Sequence, residues 1–73
     1  MPYYCVWLVD QAATDMFWLM ASTAIEARRL VALNGPAEFA DESRLQCALN
    51  ASKAPPAGMI QSSRGMTIPI ANR

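Results

Sequence analysis

Two short runs near the start of the chain, residues 3–9 (Tyr-Tyr-Cys-Val-Trp-Leu-Val) and 16–21 (Met-Phe-Trp-Leu-Met-Ala), are apolar at every position. Side chains of a strand alternate between its two faces, so a strand with one wet face reads apolar-polar-apolar. In the first run Tyr3, Cys5, Trp7 and Val9 share one face, and Tyr4, Val6 and Leu8 share the other. In the second, Met16, Trp18 and Met20 oppose Phe17, Leu19 and Ala21. Strands of this kind are buried on both faces. A chain built around them needs cover on two sides of its sheet.

The rest of the sequence offers one good helix as cover. Thr23 with Glu26 three residues later reads as a capping box, in which the hydroxyl takes an orphan amide and the carboxylate reaches back to the cap's own amide. The helix is predicted from Ala24 to about Leu33, and Asn34-Gly35-Pro36 is a strong stop. At 100° per residue, Ala24, Ala27, Leu30 and Val31 fall on one narrow face with Leu33 at its margin. Ile25, Arg28, Arg29 and Ala32 fall opposite, an apolar spot with a cationic rim.

Residues 36–43 are acidic and read as a short helical turn with Phe39 tucked inward. Residues 44–50 alternate, with Leu45, Cys47 and Leu49 inward and Gln46 and Ala48 outward, as a half-buried third strand does. The Pro-rich stretch 52–58 is a break, because consecutive prolines cannot donate ladder hydrogen bonds. Met59-Ile60-Gln61 and residues 66–70 flank a Ser-Ser-Arg-Gly turn, so residues 59–73 form a terminal hairpin or a tail, with Pro69 marking an edge strand. The predicted fold is α+β: one domain over residues 1–73, with a small antiparallel sheet in the order β-β-α-β plus the C-terminal hairpin, and one helix on one face. Its other face is left to a second copy or a partner.

Seventy-three residues with an apolar share of 53% are close to the size at which a single core is only marginally stable. No run approaches the roughly 18 to 20 apolar residues that cross a bilayer. The start has no basic n-region, and Asp10 interrupts the first apolar run, so a cytoplasmic protein without a secretory signal is expected. Cys5 and Cys47 then read as reduced, buried small hydrophobes, the other reading being a disulfide between first and third strands.

Charge is unevenly distributed. Residues 1–43 hold six acids and two bases, a net −4, whereas residues 44–73 hold Arg44, Lys53, Arg64 and Arg73 and no acid, a net +4. The bases either solvate and balance the acidic half once folded, or present a thin basic surface to a partner.

Catalytic chemistry is sparse. There is no histidine, which removes the commonest general base and any Ser-His or Cys-His pair. Asp10 and Asp15 are the first and last residues of the expected six-residue hairpin loop, an exposed place with little reason for a raised pKa. Gly35, Gly58 and Gly65 are too far apart to cradle a phosphate and read as caps and turns. Two thiols do not complete a zinc site. No enzyme activity, metal or cofactor is expected. Aromatics concentrated in the first forty residues and bases in the last thirty also fail to interleave as single-strand nucleic-acid binding requires.

Protein binding is what remains. Tyr3, Cys5, Trp7, Trp18 and Met20 have the composition of an interface core, and self-pairing through them predicts a homodimer of sheet packed on sheet. Ile25, Arg28 and Arg29, or Lys53 and Arg64, are candidate contacts to a target. The stretch FWLMASTAIEARRLVALNG resembles a strand–helix unit of very small phage and mobile-element proteins of the anti-CRISPR kind. That resemblance implies a cofactor-free inhibitor, acting in the host cytoplasm, that occupies a surface of a host defence complex; it transfers no functional residue. The near-neutral charge departs from the acidic members that imitate DNA. The alternatives are a small nucleic-acid-binding module using the basic C-terminal half, and a structural subunit whose open face serves only to oligomerise.

Overall fold

A computed structural model describes residues 2–10, 15–49 and 53–73. In it the two apolar runs are strands β1 (Tyr3–Leu8) and β2 (Met16–Met20), paired antiparallel with Cys5 opposite Trp18 and Trp7 opposite Met16. Residues 11–14, most of the expected hairpin loop, lie outside the described residues. Strands β3 (Leu45–Leu49), β4 (Met59–Ser62) and β5 (Thr67–Pro69) complete one five-stranded sheet in the order β3-β1-β2-β4-β5. Every neighbouring pair is antiparallel. The terminal hairpin is therefore part of the main sheet, laid against β2. β1 and β2 lie at its centre, where residues 4–6 and 8 and residues 17–19 are buried.

The alternation of hydrogen bonds can be followed across the whole sheet. Ala21 N–H donates to the Pro2 carbonyl (3.1 Å) and Val9 N–H to the Arg44 carbonyl (2.8 Å). Even-numbered residues of β1 thus bond to β2 and odd-numbered ones to β3. On β5, Ile70 N–H donates to the Gly58 carbonyl and Met66 C=O accepts from Ser62, so the even positions face β4. Pro69 then sits at an outward position, where its missing N–H costs nothing.

Helix α1 (Ala24–Asn34) crosses from β2 to β3 over one face. The Thr23 hydroxyl accepts from the Glu26 N–H (3.1 Å), as the capping box requires. The carboxylate half is shifted: Glu26 Oε1 accepts from the N–H (2.8 Å) and hydroxyl (3.1 Å) of Ser22, one residue before the cap, rather than from Thr23. At the far end Gly35 is extended (φ −85°), so left-handed freedom is not its role. Its N–H reaches the Val31 carbonyl at 2.7 Å, and a Cβ there would lie 2.7 Å from that same oxygen.

These hydrogen bonds from Ser22 hold the Glu26 carboxyl below its ordinary value of 4.5. A folded-state pKa below the unfolded one stabilises the fold above the unfolded pKa, and that contribution disappears as pH falls through the folded value. Wild type is thus expected to exceed Glu26→Gln in stability at neutral pH. The gap should shrink once pH drops below about 4.5, as urea titrations at pH 7 and pH 3 would show.

Ala27, Leu30 and Val31 of α1 are buried against Tyr4, Val6, Leu8, Phe17, Leu19, Leu45 and Ile60. The expected helix stripe is corrected at its margins. Ala24 is exposed, while Ala32 and Arg28 are half-buried on a flank rather than on the opposite side. The acidic stretch forms two 3-10 turns, Ala37–Phe39 and Glu42–Arg44. Phe39 is fully buried with its ring edge-on to Phe17 (centroids 4.8 Å, 83° between planes). After β5 the chain returns to the helix C-terminus, where the Asn34 side chain is fully used. Its Nδ2 donates to the carbonyls of Leu30 (2.9 Å) and Asn72 (2.8 Å). Its Oδ1 accepts from Ala71 (3.1 Å) and Asn72 (2.9 Å). Leu49 points to the helix face but lies at the edge of the sheet and is 70% exposed, which corrects its expected inward burial.

No helix among the described residues is long and apolar enough to cross a membrane.

Candidate functional site on the sheet face opposite the helix

The helix takes the face of Tyr4, Val6 and Leu8, and alternation then gives the opposite face to Tyr3, Cys5 and Trp7. The β1–β2 register adds Met20, Trp18 and Met16 beside them. All five residues expected at the interface (Tyr3, Cys5, Trp7, Trp18, Met20) therefore share one surface, with Gln46 and Ala48 of β3 and Met59 and Gln61 of β4 flanking them.

This face is not open throughout, a correction to the single-cover reading. Strands β3 and β4 lie on either side of the β1–β2 pair, and the described part of the segment between them meets the side away from the helix: the Lys53 ammonium lies 5.6 Å from the centre of the Trp18 ring. Pro55 is fully buried. The residues read as a break (52–58, of which Ser52 lies outside the described set) are thus a second cover. A Pro-rich segment suits that task because it contributes apolar surface and few N–H groups needing partners.

Under this strap Cys5 and Trp18 are 1% and 8% exposed, whereas Tyr3, Trp7, Met16, Met20 and Met59 are half-buried. Trp18 Nε1 is buried with no hydrogen-bond partner among the described residues. An orphan donor costs on the order of 1–3 kcal/mol, partly offset by an ammonium over the ring at about 0.5–2 kcal/mol.

The two cysteines are free. Cys5 stands opposite Ala48 while Cys47 stands opposite Val6, so the thiols project from opposite faces of the sheet and a bond between them is geometrically closed. Burial, with a smaller push from Cys47, raises the Cys5 thiol above its ordinary pKa; burial raises Cys47 too, countered in part by the nearby Arg28 guanidinium. Both thiols are held protonated at neutral pH, unlike an activated nucleophile.

The candidate target-contact residues are divided between surfaces. Ile25 and Arg29 are exposed on the helix, where Arg29 Nε lies 3.7 Å from Glu42 Oε1. Arg28 turns toward β3, with its Nε buried and unpartnered among the described residues. Lys53 belongs to the opposite face, and Arg64 is bound to Asp15 at 2.8 Å. Arg44 reaches both carboxylate oxygens of Asp10 (2.8 and 3.1 Å). The acidic and basic halves of the sequence are thereby interleaved, and Asp10 and Asp15 each face an arginine rather than each other. Exposed pairs of this kind contribute little stability, about 0–1 kcal/mol each, but they set two bases of the C-terminal half, Arg44 and Arg64, against carboxylates of the N-terminal half.

Among the described residues no three metal-ligating side chains converge. One cleft of about 120 Å³ lies beside the core, lined by Phe17, Pro36, Met66 and Ile68 with the Asp15–Arg64 pair at its rim. It joins residues from three separate segments, and no local pattern announces it.

Compared with family models, with curated proteins and with solved structures, the chain finds no match.

Proposed function

We propose that this chain is a non-enzymatic protein-binding protein that docks through the part of the Trp7 face its own strap leaves exposed. The carrying observation is the row Tyr3, Trp7, Met16 and Met20, half-buried side chains on the two central strands of a paired sheet. Aromatic and Met side chains dominate interface cores because they bury large areas and lose little entropy on a rigid support. A host complex blocked by occupation of one of its surfaces is the partner that the strand–helix resemblance suggests. A nucleic-acid reading lacks its main attractive term, because Arg44 and Arg64 face carboxylates.

Trp7→Glu is expected to weaken partner binding at least 30-fold, the size of a central hot spot of about 2 kcal/mol or more. Because the Trp7 side chain is half-buried, the melting temperature should fall as well, so binding is compared at a temperature where circular dichroism shows both proteins folded. Arg29→Glu, on the other side of the molecule, should bind as wild type does. Capture of a host complex by the tagged protein, followed by titration of the purified partner, supplies the measurement. Equal affinity of wild type and Trp7→Glu would overturn the reading. Binding of the chain alone to DNA at low salt, lost steeply on adding salt, would replace it with the nucleic-acid one.

A further inference from the structure

The two edges of the sheet are built differently. On β5 the outward positions are Thr67 and Pro69, so a three-residue edge offers one N–H and ends in a proline. Short edges with proline are a standard guard against strand addition. Strand β3 carries no such guard. Its even residues Gln46 and Ala48 bond to β1, because Val9 and Arg44 form the adjoining hydrogen-bonded pair. Leu45, Cys47 and Leu49 therefore turn their backbone groups outward. Leu45 N–H is taken by the Glu42 carbonyl. Among the described residues nothing bonds the N–H groups of Cys47 and Leu49 or the outward carbonyls of Leu45, Cys47 and Leu49. The segment Leu45–Leu49 has no charge, no proline and no glycine.

We propose that the β3 edge is a self-association surface, at which a second copy of this chain adds its own β3 antiparallel about a two-fold axis at Cys47. The free groups complement themselves in that register. Cys47 would exchange both backbone hydrogen bonds with Cys47 of the second copy. Leu49 N–H would donate to the second copy's Leu45 carbonyl, and the reverse. Four hydrogen bonds form, and the one N–H already engaged, that of Leu45, is the one this pairing does not use to advantage. Leu49, the most exposed large apolar side chain, would lie beside Leu45 of the second copy. The Trp7 face takes no part, so this surface is independent of the partner-binding reading. It also differs from sheet packed on sheet, which the strap obstructs.

Amide exchange read at two protein concentrations gives the test. The amides of Cys47 and Leu49 should exchange freely in dilute protein and at least tenfold more slowly in concentrated protein, as the sedimented mass doubles. Across a hydrogen-bonded antiparallel pair the two Cα atoms stand about 5.5 Å apart, which brings the two Cys47 side chains together across the axis. A short thiol-reactive bifunctional linker should therefore join wild type and Cys5→Ser into covalent dimers, but not Cys47→Ser. Leu49→Lys, which places a charge in an already exposed position, should sediment as a monomer with an unchanged fold. A mass that stays monomeric throughout overturns the proposal. So does a dimer whose Cys47 and Leu49 amides remain unprotected, or one that Leu49→Lys leaves intact.

Discussion

Phe39→Ala is expected to leave little folded protein under ordinary conditions. A 73-residue domain has a total stability of roughly 4–11 kcal/mol at typical per-residue values, and emptying a fully buried phenylalanine site costs about 3–5 kcal/mol. Two features of the site argue for the upper half of that range. The ring meets Phe17 edge-on at 4.8 Å, an arrangement that contributes about 0.5–1.5 kcal/mol beyond area alone. Phe39 is also the buried residue of a three-residue 3-10 turn, so the turn loses its core anchor once the ring is gone. Urea denaturation followed by tryptophan fluorescence would give the loss directly. Phe39→Leu, which refills most of the volume, should recover about half of it. A midpoint for Phe39→Ala within experimental error of wild type would mean that the ring is not in the core.

Asn34→Ala should have the next largest effect, about 2 kcal/mol, from four hydrogen bonds lost together at a net 0.5–1.5 kcal/mol each with a discount for their partial exposure. One amide group joins the helix C-terminus to the last residues of the chain, so the loss should be local before it is global. Amides of Ala71 and Asn72 are expected to lose their exchange protection, while those at the centre of β1 and β2 keep theirs. Asn34→Asp would retain acceptors for the Ala71 and Asn72 amides but lose both donated bonds and put a negative charge at the negative end of the helix dipole. It should rescue little. Full protection of Ala71 in Asn34→Ala would show that β5 holds the tail without the clasp.

Several elements were legible in the sequence because their causes are local. Residues 3–9 announced a doubly covered strand, Thr23 announced a helix start, Phe39 an inward ring and Pro69 an edge. What stayed hidden depended on partners distant in sequence. Strand order cannot be read from two runs that are equally apolar on both faces, and neither can the placing of residues 53–56 against the second face as cover. The rotation of α1 was misjudged at Ala24 and Arg28. Small and large apolar residues are spread around this helix, so periodicity defines its buried face weakly, and the sheet beneath it decides. The five residues expected at an interface share one face of the sheet. Their division into buried (Cys5, Trp18) and half-buried (Tyr3, Trp7, Met20) residues follows only from the strap.

The strand order β3-β1-β2-β4-β5 has a consequence for how the molecule can be made. The first two strands form the middle, the third joins outside the first, the fourth outside the second, and the fifth outside the fourth. Each segment leaving the ribosome therefore finds a free margin waiting for it, and none has to be slotted between two neighbours that have already joined. Synthesis from the N-terminus and assembly from the centre outward run in the same direction.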